Sequence, residues 1–338
     1  MPRQLVSIQD VADRAGVSIM TVSRAMRGVE GVSAVKRAEI VKVAQELGYR
    51  PNRYAMSLAA SHSTLIGVSL PTMFNEVFAD ILDGMRGVFD AAGFDLIIDN
   101  SDYDPKREQA WVDRMIDWKP AGVILSGIDH APGLREQLRT SGIPTLEIWD
   151  IHDDPIDICV GLDHTAAGRS IGEHLIAQGY RRPAFVGVEA NRDPRAEKRL
   201  AGLRDAFASA GIEDLLVARS EKHASFEAGM VGTLALLRSS RTRPDCICYL
   251  NDHMAFGGLT TCERLGLVIP DDIGIVGFNG LGINAVLPRA LTTVFTPRLE
   301  MGAQGAKLLL ARIRGAKVGR KIIMPTDLRL GGTTAMRK

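Results

Sequence analysis

Apolar residues at helical spacing predict three short helices at the start of the chain. The first helix ends at Gly16, and Ser18 caps the second. Ser33 caps the third helix, which stops at Gly48. The positions expected to be buried are Ile8, Val11, Ala12 and Ala15, then Val22, Ala25 and Met26, then Val35, Ile40, Val41, Ala44 and Leu47. Because helices this short are marginal alone in water, the three must pack on one another.

From Leu65 onward, apolar runs such as LIGVSLP, GVILSG and CICYLND alternate with amphipathic helical stretches. Continuous apolar strands between helices are typical of parallel sheets covered on both faces. The predicted fold is an all-α head followed by an α/β core of two doubly wound parallel-sheet lobes, with a ligand cleft between them. The expected bounds are a head over 1–49, a hinge and linker over 50–63 and a core over 64–338, with a first lobe of about 64–162 and 292–324 and a second lobe of about 163–291 and 325–338.

Charge is distributed unevenly along the chain. The 338 residues carry a net charge of +1, but residues 1–64 hold nine Lys and Arg against five Asp and Glu, so this segment is +4 and the remainder is −3. A basic head on a mildly acidic body suits contact with phosphates at one end only.

The four cysteines, Cys159, Cys246, Cys248 and Cys262, lack the spacing of a zinc site, and three of them stand in apolar strand-like runs. They are expected to be buried free thiols, and neither a metal nor a cofactor is expected. The start of the chain has no apolar signal core, and no apolar run reaches membrane-spanning length. These observations predict a cytoplasmic protein with no membrane partner.

Two short helices joined by a tight turn within about 20 residues are typical of a helix-turn-helix. The second helix of this motif lies in the DNA major groove, and its first residues touch base edges. Here Arg24 can pair two donors with guanine, and Ile19 and Met20 can contact thymine methyl groups. The alternative is an ordinary three-helix cap in which Arg24 is merely solvated.

The head stretch SIQDVADRAGVSIMTVSRAMRGVEGVSAVKRAEIVKVAQELGYRPNRYAMSLA resembles the lactose/galactose repressor (LacI/GalR) family. The elements DVA, AGVS, TVSR, VS, ELGY and PNR occur in order, and the similarity continues at IGVSLP, GVILSG, RLAGLRDAF, LNDHMAFG and DDIGIVGFN. The resemblance implies a transcription regulator whose core is similar to periplasmic sugar-binding proteins. MTVSR, SGIDHAP and LLARIRG make the chain most similar to the gluconate-repressor branch.

The resemblance also implies a DNA-binding set. Ile19, Met20 and Arg24 would face bases, while Ser7, Ser18, Thr21, Ser23 and Ser33 would meet phosphates or cap helices beside them; Arg27 is expected to contact DNA as well. PNRYAMSLA would be a hinge helix that orders on DNA beside its dimer mate, with Leu58 as a minor-groove wedge and Asn52, Arg53 and Ala55 in the same groove. Leu58 could instead be an interdomain packing residue. The implied partner is a near-palindromic operator bound by a homodimer, with a tetramer also open.

The implied ligand positions are Asn75, Phe78, Glu147, Asp150, Arg199, Asn251, Asp252 and Asn279. Many sugar-responsive members carry Asp at the position of Asn279, and Arg298 stands just past the last crossover strand, so the ligand is expected to be anionic. The prediction is a sugar acid such as gluconate, a keto-gluconate or a phosphorylated form, its carboxylate at Arg298 with Arg199 and His130 nearby. Three alternatives stay open: a structural ion pair for Arg298, a structural role for Asn251 and Asp252 in tying the strand end and capping the following helix, and a neutral sugar as ligand. The sign of the response is open too.

Two other classes of protein are less favoured. GLGINA, from Gly280, resembles a G-x-G-x-x-A nucleotide loop, but Val286-Leu287-Pro288 stands where a helix should begin, and no metal-spaced set or nucleophile elbow is present. An enzyme is therefore not expected. A sugar-binding transport protein needs an export signal and has no use for residues 1–62.

Overall fold

The computed structural model describes residues 6–50, 63–73, 76–190, 192–239 and 242–337. The chain divides into two compact units, one ending at Thr64 and the other beginning at Leu65. No helix in the described ranges has the length and apolarity needed to cross a bilayer.

The first unit contains three helices, α1 (Ile8–Ala15), α2 (Ile19–Arg27) and α3 (Ala34–Leu47). Each begins at a serine whose hydroxyl accepts a backbone N–H, and each ends at a glycine in the left-handed region. The apolar faces of the three helices meet in one small core that contains Val11, Val22 and Ile40. The predicted caps and stops are therefore confirmed.

One predicted core position in this unit is wrong, because Val35 is 82% exposed. The buried positions of α3 are Ile40 and Ala44. Val35 precedes Ile40 by five residues, which places it about 140° around the helix from the buried face at about 100° per residue. Val41 and Leu47 are half-buried.

The second unit alternates strands and helices. In chain order they are β1 (Leu65–Leu70), α4 (Glu76–Ala92), β2 (Asp95–Asn100), α5 (Pro105–Asp117), β3 (Gly122–Ser126), α6 (Leu134–Ser141), β4 (Thr145–Asp150), β5 (Ile158–Leu162), α7 (His164–Ala177), β6 (Pro183–Val188), α8 (Pro194–Ser209), β7 (Leu216–Ser220), α9 (Phe226–Ser239), β8 (Cys246–Tyr249), α10 (Asp252–Arg264), β9 (Gly274–Asn279), a 3₁₀ turn (Gly282–Val286), β10 (Thr292–Phe295), α11 (Arg298–Ile313), β11 (Lys321–Ile323) and β12 (Asp327–Arg329).

These strands form two six-stranded sheets, each the centre of one lobe. The first lobe has the order β11-β5-β4-β3-β1-β2 with every pair parallel. The second has the order β12-β10-β9-β8-β6-β7, parallel except for β12. Central strands are buried along their whole length, as expected for sheets covered by helices on both faces. The two predicted doubly wound lobes are present.

The predicted point at which the chain returns to the first lobe is wrong by one strand. β10 pairs with β9, with Thr292 opposite Val276, and so belongs to the second lobe. The return follows Phe295, after which α11 packs on α4 and β11 pairs with β5. An apolar run such as LTTVFTP can complete either sheet, and only the pairing decides between them.

All four cysteines are free and buried. Cys246 and Cys248 lie on β8 and Cys159 on β5, and burial raises the pKa of each thiol. The prediction of buried, unreactive thiols is confirmed.

Candidate functional site

A cavity of about 250 Å³ lies between the two lobes, where the carboxyl ends of their parallel strands face each other. From the first lobe it is lined by Thr72, Val77, Phe78, Asp102, Tyr103 and Trp149. From the second it is lined by Val188, Arg192, Asp193, Arg195, Arg199, His223, Ala224, Leu250, Asn251, His253 and Asn279. Its wall therefore combines aromatic rings with charged and amide groups.

Backbone strain is concentrated around this cavity. Asp102, Tyr103, Trp149 and Asn279 have φ values of 54°, 58°, 82° and 116°. Only one other non-glycine residue of the described ranges, Lys119, has a positive φ. Such conformations cost about 1–3 kcal/mol each and are characteristic of ligand-binding segments.

Arg199, on α8, is held in place by three contacts. Its Nη1 donates to Nδ1 of His164 over 3.0 Å, and its Nη2 donates to the carbonyl oxygen of Leu250 over 3.2 Å. The guanidinium lies 4.3 Å from the ring centre of Phe278. Its Nε is buried and has no hydrogen-bond partner in the described part of the chain. One N–H of this fixed cation therefore has no acceptor within the described part of the protein.

Two buried guanidinium groups share one carboxylate at this site. Asp193 Oδ1 lies 3.0 Å from Nε of Arg195, and Oδ2 lies 3.7 Å from Nη2 of Arg199. Burial acts to raise the pKa of Asp193, but the two arginines hold it below its ordinary value. Arg192 and Asp102 also line the cavity, and Asp102 lies 3.6 Å from Nη1 of Arg107 outside the cavity wall. The buried group of Asp193, Arg195 and Arg199 thus carries a net charge of +1, and Asp150, which also attracts both arginines, is itself paired with Lys198.

Two asparagines at strand ends also face the cavity. The Oδ1 of Asn279 is buried without a partner among the described residues. The Oδ1 of Asn251 accepts from the backbone N–H of Met254 over 3.0 Å and so caps α10. Asn251 therefore lines the cavity and also fills the capping role that was its alternative.

Of the predicted ligand residues, Phe78, Arg199, Asn251 and Asn279 line the cavity, and Asn75 lies outside the described residues. The structure does not bring His130, Glu147, Asp150, Asp252 or Arg298 into its wall. Asp150 accepts from Nζ of Lys198 over 2.6 Å. Asp252 accepts from Leu281 N over 2.8 Å and from Thr293 Oγ1 over 2.6 Å. Both carboxylates thus accept hydrogen bonds from the protein itself. For Asp252 this agrees with the alternative that it ties the strand end.

The expected role of His130 and Glu147 at the ligand needs correction, because they form a separate buried cluster in the first lobe. His130 Nδ1 lies 2.7 Å from Oε2 of Glu108, and its Nε2 lies 3.4 Å from Oε1 of Glu147. Arg135 donates to the same Glu147 oxygen over 3.0 Å. Burial acts to lower the pKa of His130, but its hydrogen bonds and charge interactions with the two glutamates raise it to about 9.

Arg298 is also corrected, because its side chain is buried against protein acceptors. Its Nε donates to Oδ2 of Asp80 over 2.8 Å, and its Nη1 donates to the carbonyl oxygen of Asn279. The ion pair that was the alternative for Arg298 is present, so this guanidinium cannot serve a ligand carboxylate without losing Asp80.

Several lining residues escaped the sequence analysis, namely Asp102, Tyr103, Arg192, Asp193, Arg195, His223 and His253, whereas Trp149 lies within the predicted stretch from Glu147 to Asp150. The stretch RDPRAEKR carried a usable signal, because Arg195 and Arg199 are four residues apart and so lie on one side of α8. The positions of Asp102 and Tyr103 carried none, since a turn gives no periodic pattern.

In the first unit, the predicted base-contacting side chains are open to solvent. Ile19 is 44% and Met20 64% exposed, and Arg24 is also exposed on α2. Ser7, Ser18 and Ser33 are the helix caps, and Thr21 Oγ1 lies 2.9 Å from Ser18 Oγ at the start of α2. Arg27, the last residue of α2, donates to the carbonyl oxygen of Ser23 over 3.4 Å. Asn52, Arg53, Ala55 and Leu58 lie outside the described residues.

Comparison with known proteins matches the two units of the chain to two separate family models. Residues 7–52 match bacterial regulatory proteins of the lacI family, and residues 173–334 match the periplasmic binding protein-like domain. The HTH-type transcriptional regulator GntR of Escherichia coli K12 is 38% identical over 326 residues, which cover 96% of each chain. A LacI-family regulator from Silicibacter pomeroyi has a TM-score of 0.89 at 33% identity, over 98% of this chain and all of that one. The transcription regulator GntR of Chromobacterium violaceum has a TM-score of 0.76 at 33% identity, over 80% of this chain and 99% of that one. The chain therefore belongs to the lacI family of bacterial regulatory proteins and is an effector-responsive, DNA-binding transcriptional regulator.

Proposed function

We propose that this regulator is a cytoplasmic homodimeric repressor of sugar-acid metabolism. A gluconate-like sugar acid binds in the interlobe cavity and releases the protein from a near-palindromic operator. The similarity to the gluconate-repressor branch and to regulators named GntR supports this ligand class. No catalytic step is included, since the similar proteins are transcriptional regulators.

The observation that carries the ligand class is the unbalanced buried charge. Arg195 and Arg199 are each 5% exposed, and among the described residues Asp193 is the one carboxylate that forms an ion pair with both. A buried charge is costly unless it is paired and hydrogen-bonded. The carboxylate of a sugar acid supplies the missing negative charge and accepts from the free Nε of Arg199.

The rest of the cavity suits the carbon chain of such a ligand. Phe78 and Trp149 meet edge to face with ring centres 6.2 Å apart, which provides an apolar wall for the hydrocarbon face of a sugar. The unpartnered Oδ1 of Asn279 can accept a hydroxyl hydrogen. A cavity of about 250 Å³ is large enough for a six-carbon acid.

Isothermal titration of the full chain tests this ligand class. The ligands are gluconate, 2-ketogluconate, 6-phosphogluconate and sorbitol, which is a neutral polyol of similar shape. We expect an acid to bind and sorbitol not to bind. Arg199→Gln and Arg195→Gln should each weaken binding at least about 30-fold, since truncating one partner of a buried charge pair costs about 2–5 kcal/mol.

Arg169→Gln is the matched control, because Arg169 forms an exposed ion pair with Asp205 at 3.0 Å on the same lobe. It should leave the affinity unchanged. Binding of sorbitol as tight as that of the acids, or full affinity in both cavity variants, would overturn the proposed ligand class.

The regulatory part is tested by genome-wide footprinting with and without gluconate, together with sedimentation of the purified protein. Occupied sites should be near-palindromes that empty when gluconate is added, because two-fold dimers read two-fold sites. Sites that fill on addition of gluconate would reverse the proposed sign, and a monomer at working concentration would reject the dimer.

A further inference from the structure

Arg298 joins the two lobes at the back of the cavity. It stands at the start of α11, which packs on α4 of the first lobe, and its side chain is 7% exposed. Its Nε bonds Oδ2 of Asp80 on α4 over 2.8 Å, and its Nη2 lies 3.7 Å from Oε1 of Glu76 on the same helix. Its Nη1 donates to the carbonyl oxygen of Asn279, at the end of β9 in the second lobe.

The carbonyl that Arg298 holds belongs to a strained residue. Asn279 has a φ of 116°, and such a conformation persists only where the surroundings over-determine it. Here the carbonyl oxygen accepts from Arg298 and also from Thr296 Oγ1 over 3.2 Å. The backbone that Arg298 fixes therefore aims the free Oδ1 of Asn279, which lines the cavity.

The other end of this bridge reaches the opposite wall of the cavity. Asp80 and Glu76 lie on α4 together with Phe78, which lines the cavity from the first lobe. A second link runs parallel to the first, since the backbone N–H of Gly282 donates to Oε1 of Glu76 over 3.1 Å. Asn279 in the cavity wall and helix α4 of the other lobe are thus joined by direct hydrogen bonds through Arg298.

We propose that Arg298 is a positioning residue that couples ligand contact at Asn279 to helix α4. Through this hydrogen-bonded bridge, the presence of a ligand in the cavity changes the affinity of the protein for operator DNA. Its regulatory part rests on the proposed function, whereas the bridge itself does not. The role is distinct from ligand binding, because Arg298 is not among the residues that line the cavity.

Hydrogen exchange of the full chain without any ligand tests the bridge. Arg298→Gln should speed amide exchange in residues 277–284 and 76–85 at least about fivefold. Asp80→Asn is a milder change, because the side chain of Asp80 is 39% exposed. It should also speed amide exchange in residues 277–284, although Asp80 lies in the other lobe. Arg312→Gln is the matched control, because Arg312 pairs with Asp157 at 3.1 Å on the same helix α11, and it should change neither segment. Faster exchange confined to α4 in Asp80→Asn would overturn the bridge.

Operator affinity with and without gluconate then tests the coupling. An effector typically changes the affinity for the second ligand by about 5–150-fold. Asp80→Asn should reduce the ratio of operator affinity without gluconate to operator affinity with gluconate at least about threefold. Its affinity for gluconate should stay within about twofold of the wild-type value. A structural defect alone would lower stability and leave that ratio intact, which would overturn the coupling. A wild-type protein that ignores gluconate would reject the proposed ligand instead, and the exchange experiment would still decide the bridge.

Discussion

Arg199 and His164 form a hydrogen bond that requires a neutral imidazole. Nδ1 of His164 accepts from Nη1 of Arg199 over 3.0 Å, while Nε2 donates to the carbonyl oxygen of Trp149 over 3.0 Å. Burial, together with the charges of Arg199 and Arg195, lowers the pKa of His164 well below its ordinary value. One ring thus joins the ligand-facing arginine of the second lobe to the cavity wall of the first.

Acid should destabilise the protein through His164. In the unfolded chain the imidazole of His164 binds a proton near pH 6.5, whereas in the folded chain it stays neutral at that pH. The unfolding free energy is therefore unaffected by this group above pH 6.5. It falls by about 1.4 kcal/mol for each pH unit below 6.5. His164→Gln keeps a donor and an acceptor but does not titrate, so its loss of unfolding free energy between about pH 7.5 and pH 5.5 should be smaller. Urea unfolding at both pH values measures this.

The matched control is Arg169→Gln on the same helix α7, because Arg169 forms an exposed ion pair with Asp205 at 3.0 Å. This variant should follow the wild type at both pH values. An identical acid loss in wild type and His164→Gln would contradict the assignment.

Alkali should act through His130, whose pKa is raised to about 9. A raised pKa gives a stabilisation that is complete below pH 6.5 and disappears as the pH rises through about 9. The shift corresponds to a contribution on the order of 3 kcal/mol. His130→Gln should therefore be less stable than wild type at about pH 6, and the difference should shrink by pH 10, as measured by urea unfolding. A difference that stays constant over this range would refute the buried imidazolium.

Arg24 should carry base discrimination on α2. Arg24→Gln should lower operator affinity by about 1–3 kcal/mol and relax the preference at one position of each half-site, as expected when a bidentate guanine contact is lost. Arg14→Gln, at an exposed position of α1, is the control and should leave the base preference unchanged. Competition binding with all four bases at every position measures both effects. An equal loss of affinity on every duplex would instead assign Arg24 to phosphate.

Gly84 allows α4 and α11 to approach closely. A methyl group at Gly84 would overlap the carbonyl oxygen of Leu299, which is backbone and cannot rotate away. Gly84→Ala should therefore lower the unfolding free energy by about 1–3 kcal/mol or more. Gly87→Ala, on the same helix but facing open space, should raise it by about 0.5–1 kcal/mol. Urea unfolding compares the two, and equal effects would reject a tight helix contact.

The sequence by itself determined the features that depend on neighbouring residues. Ser18 and Gly28 bound α2 because a cap needs only a side chain within three residues and a left-handed glycine. The two parallel sheets followed from apolar strands between helices, and the buried state of Cys246 and Cys248 followed from their place on such a strand. The exposure of Met20 on the recognition helix followed from helical periodicity in the same way.

Only the tertiary structure decided which side chains meet. Strand pairing placed β10 in the second lobe. The packing of α11 on α4 brought the side chain of Arg298 within hydrogen-bonding distance of Asp80 and of the carbonyl oxygen of Asn279. The same folding brought Tyr103 from a turn to the cavity wall and left Arg195 and Arg199 with one carboxylate between them. The physical reason is that a charged side chain binds the acceptor nearest in space, and residues far apart along the chain supply it.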